Sequence, residues 1–264
     1  MIRSLWISAS GLQTQQMNID TIGNNVSNIN TTGFKKSDCE FHDLIYGATN
    51  RIGAFLPEGQ QSEEGRQIGC GVGLMATRQA FNQGNLEDTG NYLDLGINGK
   101  GFFKVSLTDG NYAYTRDGSL TIDGESGRLT TSAGYYLEPF VTIPSGATSI
   151  SVSEDGVVSA ILEGEDEPQE IGRIDLFKFT NPDGLQKVGE NLFVETAASG
   201  VAAQGNPGVD GLGMIKQGFL EASNVELADE MTNMIMAQRA YQMNARAIKN
   251  ADMMLSIANQ ILRG

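Results

Sequence analysis

The sequence predicts an α+β protein in which long N- and C-terminal helices form a coiled-coil-like inner layer and the middle of the chain forms an all-β domain. Three observations carry this prediction. The C-terminal forty or so residues repeat an apolar position every seven residues, the N-terminal segment repeats one at the same period, and between them lie short alternating runs punctuated by Asp-Gly pairs. The expected organisation is an N-terminal helix and motif over 1–36, an extended linker and β region over 37–98, and a central β domain over 99–200. A return connection over 201–219 and a C-terminal helix over 220–264 complete it.

From Ser4 to Phe34 the only charged residue is Asp20, in a segment rich in Gln, Asn, Ser and Thr. A solvated surface helix is not written this way. Leu5, Leu12, Ile19 and Val26 recur every seven residues and Ile22 and Ile29 follow two of them, which predicts a helix with a narrow apolar seam. Gly11, Gly23 and the asparagines lower its intrinsic helicity, so the segment is expected to order only on docking, with amides and hydroxyls bonding across subunits.

Residues 37–75 give one short apolar patch, Phe41, Leu44, Ile45 and Tyr46, and then a polar, Gly-rich passage. Gln67-Ile68-Gly69-Cys70-Gly71-Val72-Gly73 invites comparison with a dinucleotide loop, but its spacing is wrong and no βαβ unit surrounds it. From Gly99 to Val194 strands are expected at Phe102–Val105, Tyr112–Thr115, Leu120–Ile122, Tyr135–Leu137, Ser149–Val152 and Ile171–Phe179. Asp109-Gly110, Asp117-Gly118, Asp123-Gly124, Asp155-Gly156 and Asp183-Gly184 are hairpin signals. The acidic run Glu163 to Glu167 is read as a solvated hairpin loop, since it lacks the spacing of an EF-hand.

At the C-terminus Leu220, Leu227, Met234, Tyr241, Ile248, Leu255 and Leu262 form one seam with no Pro or Gly between them, and Ala237, Ala251 and Ala258 lie beside it. Ser223 or Asn224 is the expected N-cap. Glu226, Asp229 and Glu230 near the start and Arg246, Lys249 and Arg263 late suit the helix dipole. At about 1.5 Å per residue such a helix runs about 60 Å, too long for a compact body to cover, so the seam needs a partner helix.

Composition removes several classes of function. The formal charge of −14 argues against nucleic-acid binding. No apolar run reaches the roughly 20 residues of a membrane span, and no cleaved secretory signal is expected. His42 is the sole histidine and no Gly-x-Ser-x-Gly elbow accompanies it, so no catalytic residue, cofactor or metal site is assigned. Cys39 and Cys70 fit neither a CxxC motif nor a zinc knuckle, and whether they pair stays open. With 32 acidic residues a glycosidase-like carboxylate pair also stays open.

The run from Ser10 to Lys36, SGLQTQQMNIDTIGNNVSNINTTGFKK, carries a specific resemblance. Leu12, Asn24, Asn25, Asn28, Thr32, Gly33, Phe34 and Lys35 match the signature of flagellar rod and hook proteins, with Ser27 where Ala is usual. Gln217 to Leu255 resembles the C-terminal segment of that family, including Ser223-Asn224-Val225 and Gln238-Arg239-Ala240-Tyr241, and strings such as Tyr114-Thr115-Arg116-Asp117-Gly118 resemble its central domain. The likeness covers the whole chain. It implies a structural, self-assembling subunit of a hollow helical shaft that transmits torque from motor to hook and encloses an export channel. The Gly-x-Gly-Val passage and the chain length point to the distal part of the rod. Proximal rod or hook, or a β-domain scaffold or adhesin on a coiled-coil stalk, are the alternatives.

The implied partners are further copies of the chain, proximal rod proteins, the hook protein, and rod cap and ring proteins, with no nucleic acid and no membrane insertion. The implied place is the periplasm-spanning rod, reached by the flagellar type III route. The subunit-interface residues expected are Leu5, Leu12, Ile19, Asn24, Asn25, Val26, Asn28, Gly33 and Phe34 at the N-terminal end. At the C-terminal end they are Leu227, Met234, Tyr241, Ile248, Leu255 and Leu262.

Overall fold

The computed structural model describes residues 2–45, 47–48, 67–164 and 167–261. The chain divides into two compact units, each drawn from separate stretches of sequence. A helical unit takes Met1–Val26, Ser37–Arg78 and Leu227–Gly264, and a β unit takes Ser27–Lys36 and Gln79–Glu226.

In the helical unit, helix α1 runs Ile2–Ser27 and helix α2 runs Leu227–Ile261. The deepest line of α1 is small and polar. Ser8, Gly11, Thr14, Ile22 and Asn25 are buried, while Leu5, Leu12, Ile19 and Val26 lie beside this line and are half-buried. Hydrophobic periodicity therefore reads the phase of α1 about one residue off. Polar groups can occupy the inner line because they find partners there: the Thr14 hydroxyl donates to the Ser10 carbonyl at 2.6 Å and that of Thr21 to Met17 at 2.9 Å. At Gly11 a Cβ would stand 2.7 Å from the side-chain nitrogen of Asn244, so the glycine leaves room for that amide.

Helix α2 buries Glu230, Ala237 and Ala251, again a seven-residue phase of small or polar positions. Of the expected seam, Met234, Ile248 and Leu255 are half-buried, whereas Leu227 is 45 % and Tyr241 38 % exposed. Leu262 lies outside the described residues. The expected helix start is corrected as well. Leu220 sits in a strand, Phe219–Glu221, paired antiparallel with Leu86–Asp88, and α2 begins only at Leu227. Asn224 is no N-cap, because its side chain is already committed to Lys36, Ala80 and Asn82.

Ser37–Asp43 and Val72–Gln79 form a two-stranded sheet in the same unit. The passage compared with a nucleotide loop leads into the second of these strands, not into a helix. Gly71, at φ +111°, passes against Ser10 of α1, whose hydroxyl accepts the Val72 N–H at 3.4 Å. Of the short apolar patch, Phe41 and Ile45 are exposed, and Tyr46 lies outside the described residues.

The β unit is built on a seven-stranded antiparallel sheet. Its order is Gln186–Gly189, Leu192–Val194, Tyr112–Thr115, Phe103–Ser106, Tyr136–Glu138, Leu129–Thr131 and Leu120–Ile122. A three-stranded sheet of Ala147–Val152, Val157–Leu162 and Gln169–Arg173 joins the same core. Alternation works as the sequence suggests, with Phe103 and Val105 fully buried and the residues between them less so. The run Ile171–Phe179 is not one strand but two, Gln169–Arg173 and Leu176–Lys178, the second paired with Ala203–Gly205.

Asp109-Gly110, Asp123-Gly124 and Asp155-Gly156 lie in connections between neighbouring strands, as a hairpin signal requires. Asp117-Gly118 does not, since the strands flanking it are four places apart in the sheet. A side chain at Gly118 would strike the Leu95 carbonyl, so this glycine serves close backbone approach. Asp183-Gly184 belongs to a short 3-10 turn, Pro182–Gly184.

The β unit is also larger than 99–200. Leu95–Asn98 pairs with Met214–Gln217, and Leu95, Ile97 and Ile215 belong to the same buried cluster as Phe103 and Leu176. Strands inside the segments expected as linker, 37–98, and return connection, 201–219, thus complete the core. A second cluster is aromatic, with Phe102, Tyr114, Phe177, Phe179 and Phe193 in edge-to-face or tilted contact at centroid separations of 4.8–6.1 Å.

Candidate functional site

The segment Thr32-Gly33-Phe34-Lys35, singled out by its sequence, is an internal pin of the β unit. Gly33 adopts φ +67° and its N–H donates to the Glu221 carbonyl at 2.7 Å. A Cβ there would lie 2.7 Å from the Asp117 nitrogen, so both conformation and space demand glycine. Thr32 donates to the Asp117 carboxylate at 3.0 Å, and Asn191 donates to the Thr32 carbonyl at 3.0 Å. Phe34 is buried, with the Lys187 ammonium 4.0 Å from its ring centre.

Lys35 completes the pin with a buried ionic cluster. Its ammonium donates to Glu221 Oε1 at 2.6 Å and to the Asn82 carbonyl at 2.7 Å. Arg116 Nη1 donates to Glu221 Oε2 at 3.0 Å and Nη2 to the Gly99 carbonyl at 2.7 Å. The Gly84 N–H adds a bond to Glu221 Oε1 at 2.9 Å. The side chains of Lys35 and Glu221 have no solvent exposure and that of Arg116 has 3 %. Two cations therefore share one carboxylate. Burial lowers the pKa of the Lys35 ammonium from its ordinary value, with Glu221 opposing that shift and Arg116 adding to it. Removing the shared carboxylate would strand both cations in the interior.

In the helical unit the comparable point is Asn25. Its amide donates to the Ser37 carbonyl at 2.9 Å and to Glu230 Oε2 at 3.3 Å, while its oxygen accepts the Ser37 N–H at 3.0 Å. One side chain thus ties α1 to the start of a strand and to the first turn of α2.

Of the residues expected at a subunit interface, Asn25, Gly33 and Phe34 are buried within their own units. Leu5, Leu12, Ile19, Val26, Asn28, Met234, Ile248 and Leu255 are half-buried, and Asn24, Leu227 and Tyr241 are exposed. The residues that sequence reasoning passed over are Arg116, Glu221 and Glu230. Glu221 alone carried a signal, a single charge after Phe219-Leu220, whereas Arg116 and Glu230 each stand beside an aspartate. His42 is exposed, and among the described residues no group of His, Cys, Asp or Glu is placed to hold a metal ion. No described helix is long and apolar enough to cross a membrane.

Large apolar side chains are left uncovered on both helices. On α1, Trp6 is 71 % exposed, and α2 presents ten such residues, half of them methionines.

Comparison with known proteins matches this architecture segment by segment. Residues 5–35 match the flagella basal body rod protein family, 96–160 the flagellar hook protein FlgE/F/G D1 domain, and 216–261 the flagellar basal body rod FlgEFG protein C-terminal family. The flagellar basal-body rod protein FlgG of Borreliella burgdorferi is 48% identical over 100% of both chains. That of Bacillus subtilis is 40% identical over 97% of both. The flagellar hook-basal body complex protein FlhP of Bacillus subtilis is 29% identical over 99% of this chain and 100% of its own. With the rod motif forming the pin of the β unit and relatives aligned from end to end, the chain belongs to the FlgG family of flagellar basal-body rod proteins and is a structural subunit of the flagellar rod.

Proposed function

We propose that copies of this chain stack head to tail into the distal part of the rod, a hollow helical drive shaft that carries torque from motor to hook and encloses the export channel. In this reading α1 and α2 pack within and between copies as a coiled-coil-like inner layer. The N-terminal interface residues from Leu5 to Asn28 and the C-terminal ones from Leu227 to Leu262 work at the flanks of these helices, while Gly33 and Phe34 act by fixing the pin.

The observation that carries the reading is the uncovered apolar surface of α2. Leu227, Ile235, Met243, Met254 and Ile257 are all exposed on one helix of 35 residues. An apolar surface of this extent marks a place of association. Heterologous contacts that do not close into a ring generate an open helix. Dense packing of the helices then resists shear along the shaft. The neighbours in this reading are the proximal rod proteins on one side and the hook protein on the other, with rod cap and ring proteins around or ahead of the growing end. The chain reaches its place through the flagellar type III route without a cleaved signal peptide.

Cryo-electron tomography of cell envelopes from a strain lacking the gene, beside the complemented strain, tests this. Basal bodies that stop at a short proximal stub without a hook are expected. Intact rods with hooks would overturn the reading and put the stalked scaffold in its place.

A further inference from the structure

An open cleft of about 330 Å³ lies in the helical unit, walled by α1, the strand from Ser37 and α2. Its lining is polar and includes Asn18, Asn25, Asp38, Cys39 and Glu230, with no Lys, Arg or His. Glu230 is only 2 % exposed, yet only one of its carboxylate oxygens accepts a hydrogen bond among the described residues, the 3.3 Å contact from Asn25. A nearly buried carboxylate with one oxygen unbonded among the described residues thus faces a cavity whose lining holds no Lys, Arg or His.

The same helix supplies the complement. Arg239 and Arg246 stand seven residues apart on α2, both exposed, and neither is within ion-pair distance of a carboxylate among the described residues. Spacing of seven places them on one face, above and below each other. Their positive charges stand exposed in a chain of 32 acidic and 18 basic residues.

We propose that the Glu230 cleft seats an arginine of a second copy, Arg239 or Arg246, and that this contact sets the register between neighbouring subunits. The inference rests on the self-assembly stated above and names the groups that direct it. A guanidinium fits the cleft chemistry, since its planar fork of N–H donors can meet the Glu230 carboxylate and the side-chain carbonyls of Asn18 and Asn25 together. Donor and acceptor lie at different places on the same chain, so when copies stack in one direction the contact is heterologous and propagates.

The test uses the purified full-length chain, with polymer measured by sedimentation and electron microscopy. Glu230→Gln keeps an acceptor for Asn25 while removing the charge, and Arg239→Gln and Arg246→Gln change only exposed positions. The expected result is a critical concentration for assembly raised about tenfold or more by Glu230→Gln and by the arginine that enters the cleft, with the combined variant no worse than the stronger single one. Cys39 lines the cleft and provides a second readout. Under diamide, Arg239→Cys or Arg246→Cys assembled with wild-type chain should form a disulfide to Cys39 of another copy, lost when Cys39→Ser is introduced. Unchanged assembly of both arginine variants, or additive losses with no cross-link to Cys39, overturns the proposal even if Glu230→Gln fails to fold. Wild-type chain that never assembles overturns the self-assembly reading itself.

Discussion

The two units of this protein spend their apolar residues differently. In the β unit Ile97, Phe103, Val105 and Ile215 are fully buried, and the unit closes its core with its own strands. In the helical unit the innermost positions are mostly small or polar, Ser8, Gly11, Thr14, Asn25, Glu230, Ala237 and Ala251 with Ile22 among them, while Trp6, Met231, Ile257 and Ile261 face outward. One unit is complete as a single chain. The other ties many of its inner polar groups to one another and leaves a large apolar surface uncovered.

The contrast breaks first at the ionic pin. Glu221→Ala leaves the Lys35 and Arg116 charges buried without their shared carboxylate, and should cost the β unit about 3–5 kcal/mol in denaturant unfolding. A loss below about 1 kcal/mol would mean that the cluster has no structural weight.

Alkaline titration is the next largest effect. Burial first, then Glu195, pushes the Tyr114 phenol up from its ordinary value of 10.0 to about 12. Folding therefore favours the neutral phenol. Its contribution is fully present below pH 10 and is lost as pH rises from about 10 to about 12, amounting to about 3 kcal/mol at most. Lys35 acts in the opposite sense, since its lowered pKa makes stability rise as pH approaches 10.5. Comparing wild type with Tyr114→Phe across pH 9–12 isolates the tyrosine, and the variant should show the shallower loss.

Gly33→Ala should cost about 2 kcal/mol, because the new methyl group meets the Arg116–Asp117 backbone from a left-handed conformation. Thermal melting of the β unit would report it.

The smallest effect on the chain itself sharpens the comparison most. Ile257→Asp, at a position 56 % exposed, should change unfolding free energy by no more than about 0.5 kcal/mol while abolishing polymer formation. A large loss of monomer stability would show that α2 already buries this face within its own chain.

The elements were largely legible in the sequence, because periods of seven and of two report which backbone form hides a side chain. The strand Leu120–Ile122 follows directly from such a pattern, while Glu165 and Asp166 of the acidic run lie outside the described residues. The phase of the helices was not legible. A seven-residue repeat of Leu and Ile marks the widest apolar stripe, yet the inner line of α1 is set by which amides and hydroxyls find partners, and Asn25 outranks Val26 for that reason. The start of α2 was misplaced because Leu220 keeps the repeat while its backbone is paired with Glu87. The ionic pin was invisible for a different cause: Lys35, Arg116 and Glu221 are separate charges in the sequence, and only the closed sheet brings them together.

Lys35 and Glu221 are separated by 186 positions, and Gly33 bonds to the same glutamate's backbone. For a chain that emerges N-terminus first, the lysine must wait, hydrated and unpaired, until nearly the whole β unit has followed it. Contacts of such long range are the last to reward the entropy of closing their loop. The pin therefore marks completion: its two ends can meet only when the strands between them are in place.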